Sequence, residues 1–381
     1  MKKGIIVLLA LCILFSGLTS CDNAIKHVHS FENRTEVKAP TCVEAGLYKE
    51  VCSCGEERSG TIEPLGHQYD ENNVCTICNN QKTLIEAAEA RIGTKFYLTF
   101  TEAVNDAANM KNVEDRVVDI LVKNVKKYNA HSPEINGSIV INAHGADFQN
   151  QDVAIFTYKN SSTVCSGTIN IVINDAKNLY LWGQPDDQLL DDKTILNITI
   201  NNSHNTGESS IKNSGRLVYL TGTKATTNVT LNNCYVEKTD SPCYTNNAGI
   251  ITFNNCTFKE CAVPLNFNMK ATNKEKHIIV NGCVFDSCGA TKDEDSNLAE
   301  YAAPIKVVTS VEGAESSLTV KDSAITNTKG ENGDILLAIK GTAVYHKVNT
   351  SITGNKTNLN VKNTFENGSF ITVKAGETEK I

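Results

Sequence analysis

Arginine is scarce in this chain: Arg34, Arg58, Arg91, Arg116 and Arg216 are its five copies among 381 residues. Formal charge is −7, and it falls to −9 without Lys2 and Lys3. So few basic groups on an acidic chain argue against nucleic-acid binding, which draws its affinity from phosphate neutralisation. An apolar run long enough to span a bilayer is also missing. The run from Ile5 to Phe15 falls well short of the ~20 residues a spanning helix needs. Tryptophan occurs once, as Trp182. What the chain has in excess is Asn, 43 residues, and Thr, 37 residues. Thr favours strands, whereas Asn favours turns and left-handed backbone. The composition therefore predicts a β-rich chain with many asparagine turns, and it speaks against a helical bundle or a nucleotide-binding α/β enzyme.

The first twenty residues have the three parts of an export signal: Lys2-Lys3, the short apolar run, and small residues before Cys21. Leu18-Thr19-Ser20-Cys21 resembles the lipobox of bacterial lipoproteins. The resemblance implies cleavage before Cys21 and a diacylglyceryl thioether on its sulfur. The alternative is an ordinary signal whose cut falls near a cysteine. Two or more acyl chains anchor a protein stably, at ~0.8 kcal/mol per buried methylene. The expected order is a signal peptide over 1–20, a lipidated tether over 21–26, a Cys/His-rich module over 27–80, and a large domain over 84–381. Such a protein would sit outside the cytoplasm, lipid-anchored to a bacterial cell envelope, at the cell surface.

The module holds His27, His29, Cys42, Cys52-Ser53-Cys54-Gly55, His67 and Cys75-Thr76-Ile77-Cys78. Two half-copies show, with His29-Ser30-Phe31 leading toward Cys42 and His67-Gln68-Tyr69 leading toward Cys75. The run Ala39 to Gly46, then Cys52 to Gly55, then Leu65-Gly66-His67, resembles a short repeat of bacterial cell-surface proteins, which carries no activity to transfer. Cys52, Cys54, Cys75 and Cys78 have the look of two zinc knuckles, whose four thiolates would close a structural zinc site. Cys42, His29 and His67 are alternate ligands. Disulfides are the competing staple, because an exported protein meets an oxidising space. With Cys21 set aside, however, the module has five cysteines, so disulfides alone leave one thiol over.

After the module, Leu84 to Arg91 has helical spacing, and Lys95 to Phe100 reads as a strand. Thr99-Phe100-Thr101-Glu102 fits a capping box for a second helix. These elements, over about 84–112, predict an N-terminal cap. Arg116 to Val122 follows as a β-run.

From residue 139 one pattern recurs: apolar, any, apolar, Asn or Lys, then Asn, Asp or Gly, then a small residue. Its fourth positions are Asn142, Asn174, Asn201, Asn232, Asn254, Asn281, Lys321 and Lys362, at steps of 32, 27, 31, 22, 27, 40 and 41. A fixed strand–turn core with variable steps is what a solenoid gives when its loops accept insertions. Stacked copies would align Cys234, Cys256 and Cys283 between Ser203 and Ser323, as buried free thiols or as disulfides. The Asn-Asn-Cys-Thr-Phe type of turn resembles the right-handed parallel β-helices of the pectate-lyase-like superfamily. The resemblance covers about 84–381 and implies an all-β, parallel β-helix fold, with an immunoglobulin-like sandwich as the alternative.

That superfamily hosts lyases, hydrolases, tailspikes and adhesins, so the fold leaves activity open. Neither of its main enzyme signatures is present: residues 132–381 hold the single arginine Arg216, and His144-Gly145 lacks a preceding glycine. Pro185-Asp186-Asp187-Gln188-Leu189-Leu190-Asp191-Asp192 suits calcium or a solvated face. Just before it, period two in Leu179-Tyr180-Leu181-Trp182 places Tyr180 and Trp182 on the outer side, as a platform for ligand unless a loop covers them. The leading expectation is a surface lipoprotein with a structural or ligand-binding role toward polysaccharide or a host protein. The alternative is a polysaccharide lyase or glycoside hydrolase on the same scaffold.

Overall fold

The computed structural model describes residues 29–31, 33–72, 74–128, 137–153, 167–183, 193–207, 215–221, 225–269, 275–289, 302–309, 316–330, 332–339, 348–359, 361–365, 373–374 and 377–378. The expected signal peptide, Cys21, the tether and the acidic loop at 185–192 lie outside the described residues. Those described form two compact units, one ending at Lys82 and the other beginning at Thr83. Among them no helix is long and apolar enough to cross a membrane.

The first unit is built on three antiparallel strands, β1 (Asn33–Lys38), β2 (Gly46–Val51) and β3 (Glu57–Ile62). Gly60 pairs with Tyr48 across β2 and β3. A Cβ at Gly60 would meet the Tyr48 ring at 2.4 Å, so glycine here lets the aromatic lie flat on the neighbouring strand.

The second unit opens with α1 (Leu84–Ala87) and α2 (Phe100–Asn109). The helical spacing read over Leu84 to Arg91 yields a single turn that ends at Ala87, and Ala90–Ile92 is instead a strand paired antiparallel with Lys95–Tyr97. Leu84 and Ile85 are exposed while Ala90 and Ile92 are buried, so core contact selects the strand over the helical pattern. The second helix starts as expected. Thr99 Oγ1 accepts from Glu102 N, and Glu102 Oε2 accepts from Thr99 N, each at 3.2 Å. Phe100, Ala103, Val104 and Ala107 form its buried face.

Beyond the helices the unit is all-β, in long parallel sheets. An eleven-stranded sheet starts with the two short antiparallel strands and continues in parallel from Val117–Ile120 to Val348–Thr353. An eight-stranded sheet runs from Asp152–Val153 to Val361–Phe365, and a five-stranded sheet from His204–Thr206 to Ala324–Thr326. The chain visits them in rotation. Ile195–Asn201 lies in the first sheet, His204–Thr206 in the third and Val218–Leu220 in the second, before Thr226–Asn232 returns to the first. This rotation is compatible with a parallel β-solenoid.

The repeat sets the register. Ile139, Ile171, Ile198, Val229, Ile251, Ile278 and Leu318 are successive partners, and all are buried. Asp175, Asn202, Asn233, Asn255 and Asp322 then take φ between 52° and 55°, the left-handed bend that Asn and Asp tolerate. One assignment moves. The strand after Ser316–Lys321 in the long sheet is Val348–Thr353, whereas Val361–Phe365 joins the eight-stranded sheet. Thr350, Ser351 and Thr353 make that copy too polar to read as part of the series.

Asparagines at the strand ends form a ladder. Asn254, Asn232, Asn201 and Asn174 each donate from Nδ2 to Oδ1 of the preceding member at 2.8–2.9 Å. Asn142 closes it by donating to Asp119 Oδ1 at 3.0 Å. The amide dipoles all point one way, so a carboxylate is the favourable terminus. Inside the bend, Cys234, Cys256 and Cys283 are buried free thiols between buried Ser203 and Ser323. Cys256 and Cys283 donate to the carbonyls of Leu231 and Phe253 at 3.4 and 3.5 Å. Bonding to their neighbours and burial push the Cys234 and Cys283 thiols well up, as expected for cysteines that act as small hydrophobes.

Candidate metal centres

Strand β2 separates the module's cysteines. Cys42 lies in the connection before it, whereas Cys52 and Cys54 lie in the connection after it. Six residues at ~3.3 Å each hold those two ends roughly 20 Å apart. The expected set of Cys52, Cys54, Cys75 and Cys78 is therefore not one cluster. The structure brings together Cys42, His67, Cys75 and Cys78, with ligand atoms all within 4.8 Å of one another, and separately groups His29, Cys52 and Cys54 within the same limit.

Backbone pairing explains the first group. Gly46 pairs with Ile62, so the chain leaving β3 returns to the Cys42 end. Leu65 N and Gly66 N then donate to Thr41 O and Cys42 O at 2.9 and 3.1 Å, which seats His67 beside Cys42. Cys75 to Cys78 form a knuckle. Asn79 N donates to Cys75 O at 2.8 Å, Cys75 N donates to Asn80 O at 2.9 Å, and Asn79 sits at φ 59°. Thr76 N donates to Gln68 O at 2.8 Å and ties the knuckle to the segment carrying His67.

The spacing fits one tetrahedral ion. Cys42 Sγ and Cys75 Sγ are 3.7 Å apart, and Cys78 Sγ is 3.4 Å from His67 Nδ1. Two sulfurs bound at ~2.3 Å with a tetrahedral angle stand ~3.8 Å apart. Burial, reinforced by the Cys78 and Cys75 thiols, pushes the Cys42 thiol up to about 12. Burial also opposes ionisation of Cys75, yet the Cys78 backbone, the His67 side chain and the Ile77 backbone hold its thiol down at about 5. Crowded thiols cannot all carry charge unaided, and a bound dication removes that conflict. Three sulfurs and an imidazole leave no open coordination position, so this group is suited to holding structure rather than to catalysis.

The second group forms where β1 begins. Asn33 pairs with Val51, which brings His29 alongside the turn after β2. In that turn Gly55 N donates to Cys52 O at 2.9 Å, with Gly55 at φ 90°. His29 Nδ1 lies 3.2 Å from Cys54 Sγ. His29 and Cys54 are exposed and Cys52 is buried.

On the large unit, Leu179 and Leu181 face the core as expected, both at 0% exposure. The paired platform of Tyr180 and Trp182 is not present in the expected form. Tyr180 is only 8% exposed, and burial, partly offset by neighbouring Arg216, pushes its hydroxyl pKa up. Trp182 is half-buried and shares a register column with Tyr219 and Tyr244. The two tyrosine rings stack at 4.8 Å and 18°, and the Arg216 guanidinium lies 5.4 Å from the Tyr219 ring centre. Parallel register explains the change, since same-face residues on adjacent strands are ~4.8 Å apart, closer than i and i+2 on one strand. Sequence reading missed Tyr219 and Tyr244, because loops of unequal length hide their common column.

Carboxylates near the cap are already engaged. Asp106 accepts from Lys95 Nζ at 2.9 Å and from Tyr97 Oη. Asp119 accepts from Arg91 Nε and contacts His144 Nε2, both at 3.2 Å. No protein-family model, curated protein or solved structure matches the chain.

Proposed function

We propose that this chain is a surface lipoprotein, anchored through Cys21 to a bacterial envelope, whose large unit is a right-handed parallel β-helix that binds polysaccharide or a host protein. The observation that carries the binding role is the column of Trp182, Tyr219 and Tyr244 on one face of the eight-stranded sheet, with Arg216 beside it. Aromatic rings with a cation alongside suit sugar rings and polar partner surfaces. Handedness follows from the strong preference of parallel crossover connections. The group of Cys42, His67, Cys75 and Cys78 holds a structural zinc ion in the module that precedes the large unit, where so few residues give little apolar core.

The test is a glycan-array screen of the full chain, run beside a calcium-supplemented polyuronate cleavage assay that reads unsaturated products and reducing ends. Binding that is lost in Tyr219→Ala and Tyr244→Ala, without cleavage, supports the reading. Turnover abolished by a single carboxylate substitution would overturn it in favour of a lyase or hydrolase.

A further inference from the structure

Five successive strands of the eleven-stranded sheet carry no charge. Gly137–Asn142, Thr168–Asn174, Ile195–Asn201, Thr226–Asn232 and Gly249–Asn254 hold no Asp, Glu, Lys, Arg or His, in a chain that is 21% charged. Buried and half-buried residues alternate along them, so every second side chain turns outward. Ile195 and Ile250 on this outer face are 39% and 46% exposed, so it meets solvent. Charge returns at its two ends, where Asp119 pairs with Asn142 and His277 pairs with Ile250. Charges spread over a surface oppose association, and this face has none. The ladder from Asn142 to Asn254 forms one margin. A second ladder forms the other. Asn170 Nδ2 donates to Ser138 Oγ at 2.9 Å, Asn197 Nδ2 to Asn170 Oδ1 at 2.8 Å, and Asn228 Nδ2 to Asn197 Oδ1 at 2.9 Å. Between the ladders Val140, Val172, Thr199, Thr230 and Thr252 stand in register.

We propose that this face docks an uncharged polysaccharide, whose hydroxyls bond to the two Asn ladders while its sugar rings lie on the methyl groups between them. A carboxamide has two N–H donors and two acceptor lone pairs. Each ladder bond spends one of each, which leaves a donor and an acceptor for hydroxyls that can do both. The ladders also hold the amides in place, so docking costs them little rotamer entropy. A charged polymer would lose water here with no opposite charge to meet, and an apolar surface would strand the amides. A protein partner needs more room. Strands ~4.8 Å apart, and four residues from Ser138 to Asn142 at ~3.3 Å each, make a patch of roughly 250 Å², well below the ~800 Å² per partner of a stable interface. An extended glycan escapes that limit, because its contacts repeat along the polymer. The face lies on a different sheet from the column of Trp182, Tyr219 and Tyr244, and it stands whether or not that column binds.

Sedimentation of the full chain, in detergent, with microcrystalline cellulose tests this. The chain should pellet with the cellulose. Soluble hydroxyethyl cellulose should release it, whereas carboxymethyl cellulose, the same backbone bearing charge, should not. Thr230→Glu puts one charge at the centre of the face and should weaken retention at least about tenfold, because contact there must desolvate it. Its urea midpoint reports whether the sheet is intact; if that has collapsed, Thr199→Lys is read in its place with the same expectation. Tyr219→Ala should pellet as wild type does, even where it loses binding on a glycan array, and this separates the two surfaces. Wild type left in the supernatant would overturn the proposal. So would undiminished retention of Thr230→Glu, or release by carboxymethyl cellulose. Loss of retention in Tyr219→Ala would move the polymer to the aromatic column, and a dimer that Thr230→Glu dissolves would make the face a contact between copies; either result overturns it.

Discussion

Lys276 is the sharpest test of the core, because its ammonium group has been taken out of water. It opens the strand Lys276–Asn281, whose inward positions are Lys276, Ile278 and Val280, and it is 2% exposed. Nζ donates to Thr245 O at 3.0 Å, to Thr245 Oγ1 at 2.9 Å and to Asn268 O at 3.4 Å. Burial lowers its pKa from 10.5 to about 7. At ~1.36 kcal/mol per pH unit that fall is worth roughly 5 kcal/mol at most. Below pH 7 both states carry the proton, and the folded chain bears the full cost of a buried ammonium. Between about pH 7 and 10.5 the unfolded chain keeps a proton the folded chain has released. Stability therefore climbs with pH, by up to about 1.4 kcal/mol per unit. Lys276→Met keeps the length of the side chain and removes the titration. It also leaves three acceptors without this donor, at ~1–3 kcal/mol for each that stays unsatisfied, so the absolute offset between the proteins decides little. The slope decides. Urea melts of both proteins from pH 6 to 10.5 should show wild type gaining several kcal/mol on the variant. The buried thiols, whose ionisation on unfolding lowers stability above pH ~8.5, are common to both proteins and cancel in the difference. A difference that stays flat within about 0.5 kcal/mol from pH 7 to 10 would falsify the inward phase of this strand.

Phe253 and Phe258, both 0% exposed and in edge-to-face contact at 6.2 Å, are part of the hydrophobic core. Phe253→Ala should cost roughly 3–5 kcal/mol in urea melts, and half-buried Thr252→Ala well under about 1 kcal/mol; equal costs would mean that the strand phase is reversed. Asn255→Val should cost more than its exposure suggests, because a β-branched residue resists φ 52° at that bend. Cys21→Ser should move the protein from the detergent to the aqueous phase on fractionation, and unchanged retention would refute lipidation there. Chelation of the full chain should open residues 29–82 to protease while 83–381 stays protected, because folding of a small module is coupled to its metal; equal protection with and without chelator would refute a structural ion.

Legibility followed the range of the interactions. The recurring apolar-x-apolar-Asn-Asn pattern was readable because the strand, the bend and the inward small residue are all local, and local propensity agrees with the packed result at Asn202, Asn233 and Asn255. The copy at Val348–Thr353 was not, since Thr350 stands opposite Leu318 and Thr353 opposite Lys321 at the Asn/Lys position, and only pairing with Ser316–Lys321 identifies it. The same limit governed the metal ligands. Cys-x-Cys and Cys-x-x-Cys pairs are visible in sequence, but which pair joins which histidine depends on the ends of β2. A hairpin sends successive connections to opposite ends of its middle strand, so three antiparallel strands between His29 and His67 suffice to separate Cys42 from Cys52 and Cys54. Placing Cys75 and Cys78 takes more, since the backbone bond from Thr76 N to Gln68 O is what brings them to the Cys42 end. The aromatic column is the harder case. Trp182, Tyr219 and Tyr244 become register partners only across sequence separations of 37 and 25 residues. A sequence window that compares fixed offsets cannot align separations of unequal length. The partners of an outward side chain on a parallel sheet are therefore set by the loops, the part of the sequence that carries the weakest pattern.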